Sequence, residues 1–101
     1  EALGILDNSF IPYPSSYSLM VPYPNPFNSA TKISYGLPHS DHVSLQVYNT
    51  LGQQVSTLFE GYKQPGIHTV NLSAQNLPSG LYFLRLIGSD QVFTQKVMLI
   101  K

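Results

Sequence analysis

The sequence contains no cysteine, few charged residues and no long apolar run. Because a chain without cysteine forms no disulfide, its 101 residues fit a reducing compartment and equally an exported protein that folds without one. Five basic and five acidic residues give a formal net charge of zero, so no basic stripe is available for a phosphate backbone. No apolar run approaches membrane-spanning length. The composition therefore argues against a nucleic-acid partner and against a transmembrane segment.

The length corresponds to one ordinary domain, large enough to bury a core without a metal or a disulfide. Charged residues make up 10% of the chain, well below the usual quarter, so polar uncharged side chains must form much of the surface. Residues 1–15 show no sustained hydrophobic period and contain Pro12 and Pro14. We expect a linker or the tail of a preceding domain there, and the domain itself over residues 16–101. The start at Glu1, without a signal peptide, indicates a piece of a longer protein.

Short alternating segments between turn residues predict an all-β fold. The clearest is residues 43–49, where Val43, Leu45 and Val47 share one face. Gly52 can take a positive φ and so return the chain into the next strand. Strands are predicted over residues 17–21, 31–35, 43–49, 54–59, 67–72, 81–87 and 91–100. About seven strands at this spacing predict an immunoglobulin-like antiparallel β-sandwich, and a small barrel is the alternative.

Two of these predicted strands carry further expectations. Residues 81–87 are apolar on both faces, as expected of a central strand covered by a second layer. Residues 67–72 alternate, with His68, Val70 and Leu72 on one side. A packed or rim histidine is therefore favoured over a catalytic one.

Residues 23–28 pack two prolines, two asparagines and two aromatic residues into six positions. Pro24 and Pro26 fix φ and push the residues before them towards extended geometry, which predicts a stiff polyproline-like crossover between the sheets. We expect Phe27 to plug one end of the core. Asn25 and Asn28 are expected to bond to the local backbone.

Candidate catalytic and metal-binding groups are weak. His39, Asp41 and His42 could contribute metal ligands, but a solvated hairpin loop capped by the aspartate is favoured, because structural zinc requires four ligands. No Gly-x-Ser-x-Gly elbow and no phosphate-binding glycine motif is present. The acidic residues are spread over separate turns, unlike the paired carboxylates of glycoside hydrolases. We therefore predict no enzyme activity and no cofactor.

Five short motifs follow one another along the chain. They are Tyr-Pro-Asn-Pro-Phe-Asn at 23–28, Thr-Lys-Ile-Ser-Tyr at 31–35, Val-Tyr-Asn-Thr-Leu-Gly-Gln-Gln-Val at 47–55, Ser-Gly-Leu-Tyr-Phe at 79–83 and Gln-Lys-Val-Met-Leu-Ile-Lys at 95–101. In this order they resemble the C-terminal sorting domain of proteins exported by the bacterial type IX secretion system, over about residues 16–101. The related immunoglobulin-like domain of flagellar hook-capping proteins shares much of the pattern. Ser29 departs from the family, which usually has proline there, and loosens the turn slightly.

The resemblance implies a β-sandwich at the end of a larger exported cargo protein. Such a domain is recognised by the type IX translocon at the outer membrane. It is commonly removed by a sortase-like peptidase as the cargo is released or attached to lipopolysaccharide. The implied route passes through the periplasm to the cell surface or the medium. If cleavage occurs, we expect it in residues 1–15, since a peptidase needs accessible, extended backbone.

The resemblance also assigns roles to particular residues. Those implied in translocon recognition are Lys96, Val97, Met98, Leu99, Ile100 and Lys101. The remaining motif residues are expected to be mainly structural, namely Pro24, Asn25, Pro26, Phe27, Asn28, Gly52, Gly80 and Tyr82. Our hypothesis is recognition by shape and β-edge contacts, with Lys96 and Lys101 setting the orientation.

Two other functions remain open on sequence grounds. A carbohydrate-binding or adhesive sandwich of a secreted enzyme would need an exposed, coplanar set of aromatic rings. Scattered tyrosines would favour the sorting function instead. The candidates for exposure are Tyr13, Tyr17, Tyr23, Tyr48 and Tyr62. A purely structural spacer is the third possibility, and it predicts that any stable sandwich could replace this one.

Overall fold

In the computed structural model, which describes residues 14–101, this part of the chain forms seven β-strands and no helix. The strands are β1 (Ser18–Leu19), β2 (Ala30–Leu37), β3 (Asp41–Tyr48), β4 (Gln54–Lys63), β5 (Gly66–Ser73), β6 (Gly80–Ile87) and β7 (Val92–Leu99). All pairings within the sheets are antiparallel. Because the strands form two separate sheets packed as a sandwich, the predicted fold class is confirmed and the alternative of a small barrel is wrong.

The strand order places β7 at the edge of a sheet. One sheet has the order β1-β2-β5 and the other the order β4-β3-β6-β7. This is the arrangement of immunoglobulin constant domains, except that β4 lies beside β3 rather than beside β5. Within its sheet β7 pairs only with β6, where Val97 lies opposite Tyr82 and Leu99 opposite Gly80.

The core lies between the two sheets. Each strand contributes to it the alternate side chains that point inward. Val43, Leu45 and Val47 are fully buried, as predicted. In β6, however, only alternate residues are covered, and the prediction that both faces are buried is wrong. Among residues 14–101, none forms a second layer over its outer face, where Phe83 and Arg85 are half-buried.

The observed bounds of several strands differ from the predicted ones. β2 continues through Gly36, which pairs with Ile67 of β5, so the glycine does not end the strand. β4 runs on to Lys63 through Gly61, helped by two register shifts against β3 that keep the long strand paired. The interval between the predicted strands 54–59 and 67–72 is thereby reduced to residues 64–65. The first edge strand exists but has only two residues.

Residues 1–13, which include most of the predicted linker, lie outside the described residues. In the described part, no helix has the length and apolar character needed to cross a membrane.

Candidate functional site

The last strand presents two different faces. Val97 and Leu99 are fully buried in the core, which confirms that the strand completes it. Lys96, Met98 and Ile100 alternate with them and are exposed. Of the residues implied in recognition, those with side chains accessible to a partner are Lys96, Met98, Ile100 and Lys101.

Residues 23–28, which we call the edge loop, lie along the outer edge of β7. The Phe27 N–H donates to the Met98 carbonyl and the Ile100 N–H donates to the Phe27 carbonyl, both over 2.9 Å. Phe27 thus forms an isolated parallel bridge with Leu99. The proline-rich motif and the last strand, far apart in sequence, meet at a single place.

The Asn25 side chain extends this contact. Its Oδ1 accepts a hydrogen bond from the Met98 N–H at 3.0 Å, and its Nδ2 donates to the Lys96 carbonyl over a longer 3.4 Å. The prediction that Asn25 bonds to local backbone is wrong, because its partners lie in β7. The sequence offered no local indication of this, since an amide can satisfy backbone groups wherever the fold brings them.

The edge loop is also fixed from the other side. Phe27 is only 3% exposed and packs into the core, which confirms its predicted role as a plug. Thr31 Oγ1 donates to the Pro24 carbonyl at 2.6 Å, and Tyr23 exchanges two backbone hydrogen bonds with Lys32. The loop is therefore held between β2 and β7.

The backbone path of the edge loop differs from the expected one. The Tyr23–Pro24 and Asn25–Pro26 peptide bonds are both cis. The predicted crossover between the sheets is confirmed, because Tyr23 bonds to β2 and Phe27 bonds to β7, but its backbone is not the all-trans polyproline helix that was expected.

The end of the four-stranded sheet near Lys101 also contains Gly80, Tyr82 and Gly52. Tyr82 donates its hydroxyl hydrogen to the Pro78 carbonyl at 2.6 Å. This arrangement resembles the tyrosine corner near the start of the sixth strand in immunoglobulin-like sandwiches. Gly52 has φ +81° in the turn between β3 and β4, as predicted, two strands away from β7.

Two open recesses flank the contact between the edge loop and β7. One, of about 290 Å³, is lined by Pro24, Pro26, Phe27, Asn28 and Ile100. The other, of about 320 Å³, is lined by Asn25, Leu81, Lys96, Val97 and Met98. Nearly all of the motif residues from the two ends of the domain sequence thus form one composite surface.

The opposite end of the sandwich contains a buried carboxylate that the sequence did not predict. Asp41 is 6% exposed, so the expected solvated turn is wrong for this residue. Its Oδ2 accepts from the Tyr17 hydroxyl at 2.6 Å and from the Ser89 N–H at 3.1 Å, and its Oδ1 accepts from the His42 N–H. We call Tyr17, Asp41 and Ser89 the Asp41 cluster.

The hydrogen bond between Tyr17 and Asp41 shifts both groups. It is the main cause that holds the pKa of the Asp41 carboxyl below its ordinary value, with the Ser89 N–H adding to the effect. The same bond, with burial, raises the pKa of the Tyr17 hydroxyl to about 12. The cluster thus favours an ionised aspartate beside a neutral tyrosine.

The histidines are engaged in packing. Among residues 14–101, no group of three or more histidine, cysteine, aspartate or glutamate side chains could hold a metal ion. His68 lies against the Tyr35 ring, with 5.4 Å between ring centroids, and its Nε2 is 2.7 Å from the Gln64 carbonyl. The prediction of a packed or rim histidine is confirmed.

The tyrosines do not form a platform for a sugar. Tyr23 is 81% exposed and Tyr62 is 74% exposed, but Tyr23 precedes β2 of the three-stranded sheet and Tyr62 lies in β4 of the other. Tyr17 and Tyr48 are half-buried, and Tyr13 lies outside the described residues. A recess of about 400 Å³ between β4 and β5 has neither an aromatic nor an ionisable residue in its lining. It therefore lacks both a stacking surface and catalytic groups.

The fold and the composite surface define a small β-sandwich domain whose last strand is secured by a proline-rich loop. The family model of the secretion system C-terminal sorting domain matches residues 22–101. The chain therefore belongs to the family of type IX secretion C-terminal sorting domains. No curated protein matches the chain.

Membership supports a coarse function. The family provides a C-terminal sorting signal for type IX secretion, which implies export towards the cell surface or the extracellular space. The family is generally non-catalytic. The matched range includes the edge loop and the whole of β7, so the composite surface lies entirely inside it.

Proposed function

We propose that this domain, comprising residues 16–101, directs a larger upstream cargo protein through the outer membrane by the type IX secretion system and catalyses no reaction itself. The observation that carries the proposal is the meeting of the edge loop and β7 in one exposed surface. Two motifs that characterise the chain as a sorting domain are joined there by direct hydrogen bonds. A spacer would have no need of such a surface.

The first described residues of the sandwich lie at the end opposite to this surface. The Tyr17 hydroxyl donates a hydrogen bond to Asp41, which also accepts one from the Ser89 N–H just before β7 begins. Lys101 follows the other end of β7, where its N–H donates to Ser79 Oγ. An eight-residue strand spans about 26 Å, so Tyr17 lies roughly one strand length away from Lys101. A translocon component can contact the Lys101 end while the cargo stays attached.

The chemistry of the surface indicates how a partner binds. Its backbone edge from Lys96 to Ile100 is occupied by the edge loop, which argues against β-edge contacts along this stretch. Recognition is carried by side chains instead. Two apolar groups, Met98 and Ile100, lie between Lys96 and Lys101, and residues 91–101 contain no acidic residue. An apolar patch flanked by acidic groups on the translocon is complementary to this pattern.

The steps after recognition follow the family. A sortase-like peptidase cleaves within residues 1–15, and the cargo is then released or attached to lipopolysaccharide. The N-terminal sequence of the tail left behind tests this step. A cleavage position at or beyond Thr31 would contradict it, because Thr31 is buried in β2.

A fusion experiment tests the proposal. A folded reporter is joined upstream of Glu1 and expressed in a bacterium with a type IX apparatus. Deleting residues 96–101 would also remove Val97 and Leu99 from the core, so a surface substitution is the sharper test. Ile100→Ser removes an apolar side chain that is 56% exposed at the proposed surface. Ile67→Ser, at 53% exposure in β5, is the matched control.

We expect Ile100→Ser to lower the amount of exported reporter at least tenfold and Ile67→Ser to leave it unchanged. Equal export of the two variants would overturn the assigned surface. Retention of the unsubstituted fusion in the periplasm would overturn the export function itself. The double substitution Lys96→Gln with Lys101→Gln tests the charges, and unchanged export would remove them from the model of recognition.

A further inference from the structure

The backbone groups on the outer edge of β7 are hydrogen-bonded as if another strand lay beside it. Neighbouring residues of a strand direct their backbone groups to opposite sides. Met98 and Ile100 bond outward to Phe27, so Val97 and Leu99 direct their groups towards β6. Four outward backbone groups have partners in the edge loop. They are the Lys96 carbonyl, the Met98 N–H, the Met98 carbonyl and the Ile100 N–H.

Asn25 supplies half of these partners with one side chain. A primary amide carries a carbonyl acceptor and N–H donors on the same planar group, as a peptide unit does. Oδ1 of Asn25 takes the Met98 N–H and Nδ2 reaches the Lys96 carbonyl. An aliphatic side chain of similar size would leave both backbone groups to solvent or to another chain.

The loop is an integral part of the fold rather than a loose cover. Phe27, whose backbone makes the other two bonds, is buried in the core, and Pro24 is tied to Thr31. A partner that added a strand at this position would have to withdraw Phe27 from the core. The geometry therefore favours a partner that contacts the outward side chains while the loop stays in place.

We propose that Asn25 is a positioning residue for recognition by the secretion apparatus. Together with Phe27 it acts as a substitute strand that holds Lys96, Met98 and Ile100 in one fixed register, so that their side chains are presented as a rigid set. This inference rests on the proposed function. It gives Asn25 a defined role, in which Asn25 affects recognition through its hydrogen bonds to β7.

Two measurements on the same variants test the proposal. Asn25→Ala removes the side-chain amide that pairs with β7 and keeps the buried Phe27. Asn71→Ala, at an exposed asparagine of β5 in the other sheet, is the matched control. Amide hydrogen exchange of the 101-residue chain, followed by NMR, reports the edge of β7. Reporter export from the upstream fusion reports recognition.

In Asn25→Ala we expect the Met98 amide to exchange at least tenfold faster, because its acceptor is gone. The Val97 and Leu99 amides, which face β6, should keep their protection and so show that the strand remains folded. Export should fall at least fivefold. Asn71→Ala should change neither the Met98 exchange rate nor export.

The outcomes separate the two proposals. An unchanged Met98 exchange rate in Asn25→Ala would overturn the substitute strand. Faster exchange with undiminished export would overturn the positioning role while leaving the sorting function intact. Absence of export from the unsubstituted fusion would overturn the sorting function, and with it the role of Asn25 in recognition, whatever the exchange rates.

Discussion

The two ends of the sandwich are held together by different chemistry. At the Asp41 end, a buried carboxylate accepts hydrogen bonds from Tyr17 and Ser89. At the Phe27 end, an aromatic ring fills the core while its backbone bonds to β7. The first arrangement depends on the ionisation of one group and the second on apolar burial. Protonation of Asp41 should therefore weaken the first end, whereas the second is held by an aromatic side chain that does not ionise.

The comparison also shows how the last strand is secured. Ser89 lies just before β7 and Ile100 just after it, and both are bonded to groups from distant parts of the chain. β7 is thus fixed at both ends in addition to its pairing with β6. Three predictions test this difference between the two ends, beginning with the largest expected effect.

Substitution of Phe27 by alanine should be the most damaging change. Removing a buried aromatic side chain leaves a cavity and is expected to lower the free energy of unfolding by about 3–5 kcal/mol. Guanidinium denaturation measures the loss. Tyr23→Ala, at an exposed ring four residues earlier, should cost less than about 0.5 kcal/mol. Similar losses at the two positions would show that Phe27 does not serve as the plug of this end.

Asp41→Asn should have a smaller effect at the other end. It replaces the charge that accepts from Tyr17 and Ser89, and hydrogen bonds to charged groups contribute about 1.5–3 kcal/mol. Urea denaturation at neutral pH measures the change. Asp90→Asn, which removes the same charge at an exposed position of the neighbouring turn, is the control and should change stability by less than about 0.5 kcal/mol. Equal effects would show that the burial of Asp41 is unimportant.

The contribution of the Asp41 cluster to the pH dependence of stability should be smaller still. Because the folded pKa of Asp41 is lowered from 3.8, its contribution is complete above that value and is lost as pH falls through the lower folded pKa. The pKa of Tyr17 is raised from 10.0 to about 12. Its contribution is therefore complete below pH 10 and declines as pH rises towards 12.

The measurement for this third prediction is the free energy of unfolding against pH for the unsubstituted chain and for Asp41→Asn. We expect the difference between them to be constant at intermediate pH and to shrink at both extremes. A difference that stays the same across the whole range would contradict the assignment. Phe27→Ala provides the contrast, because its deficit should not vary with pH.

Local patterns predicted those features that depend on neighbouring residues. The alternation of Val43, Leu45 and Val47 identified their common buried face, and the aromatic Phe27 after two prolines was correctly expected in the core. The partners of Asn25 and Asp41 were not predictable in the same way. Both depend on which distant backbone or hydroxyl groups the topology brings near a polar side chain, and a local sequence pattern does not specify those groups.

The composite surface was predicted in its parts but not in its assembly. The residues of the edge loop and of β7 were both selected from the resemblance, yet their direct contact became visible only with the strand order. The outward direction of Met98 and Ile100 follows from alternation alone. The pairing of their backbone groups with the edge loop does not follow from alternation, because it depends on the path of residues 23–28.

The hydrogen bonds from Asn25 to β7 join residues 71 and 73 positions apart. The strands β2 to β6 all lie between them in sequence, and contacts at such a separation are slow to form because a long stretch of chain must first be closed into a loop. The surface around Ile100 is consequently complete only in the folded domain. A partner that required this surface would therefore bind the folded domain in preference to an unfolded chain.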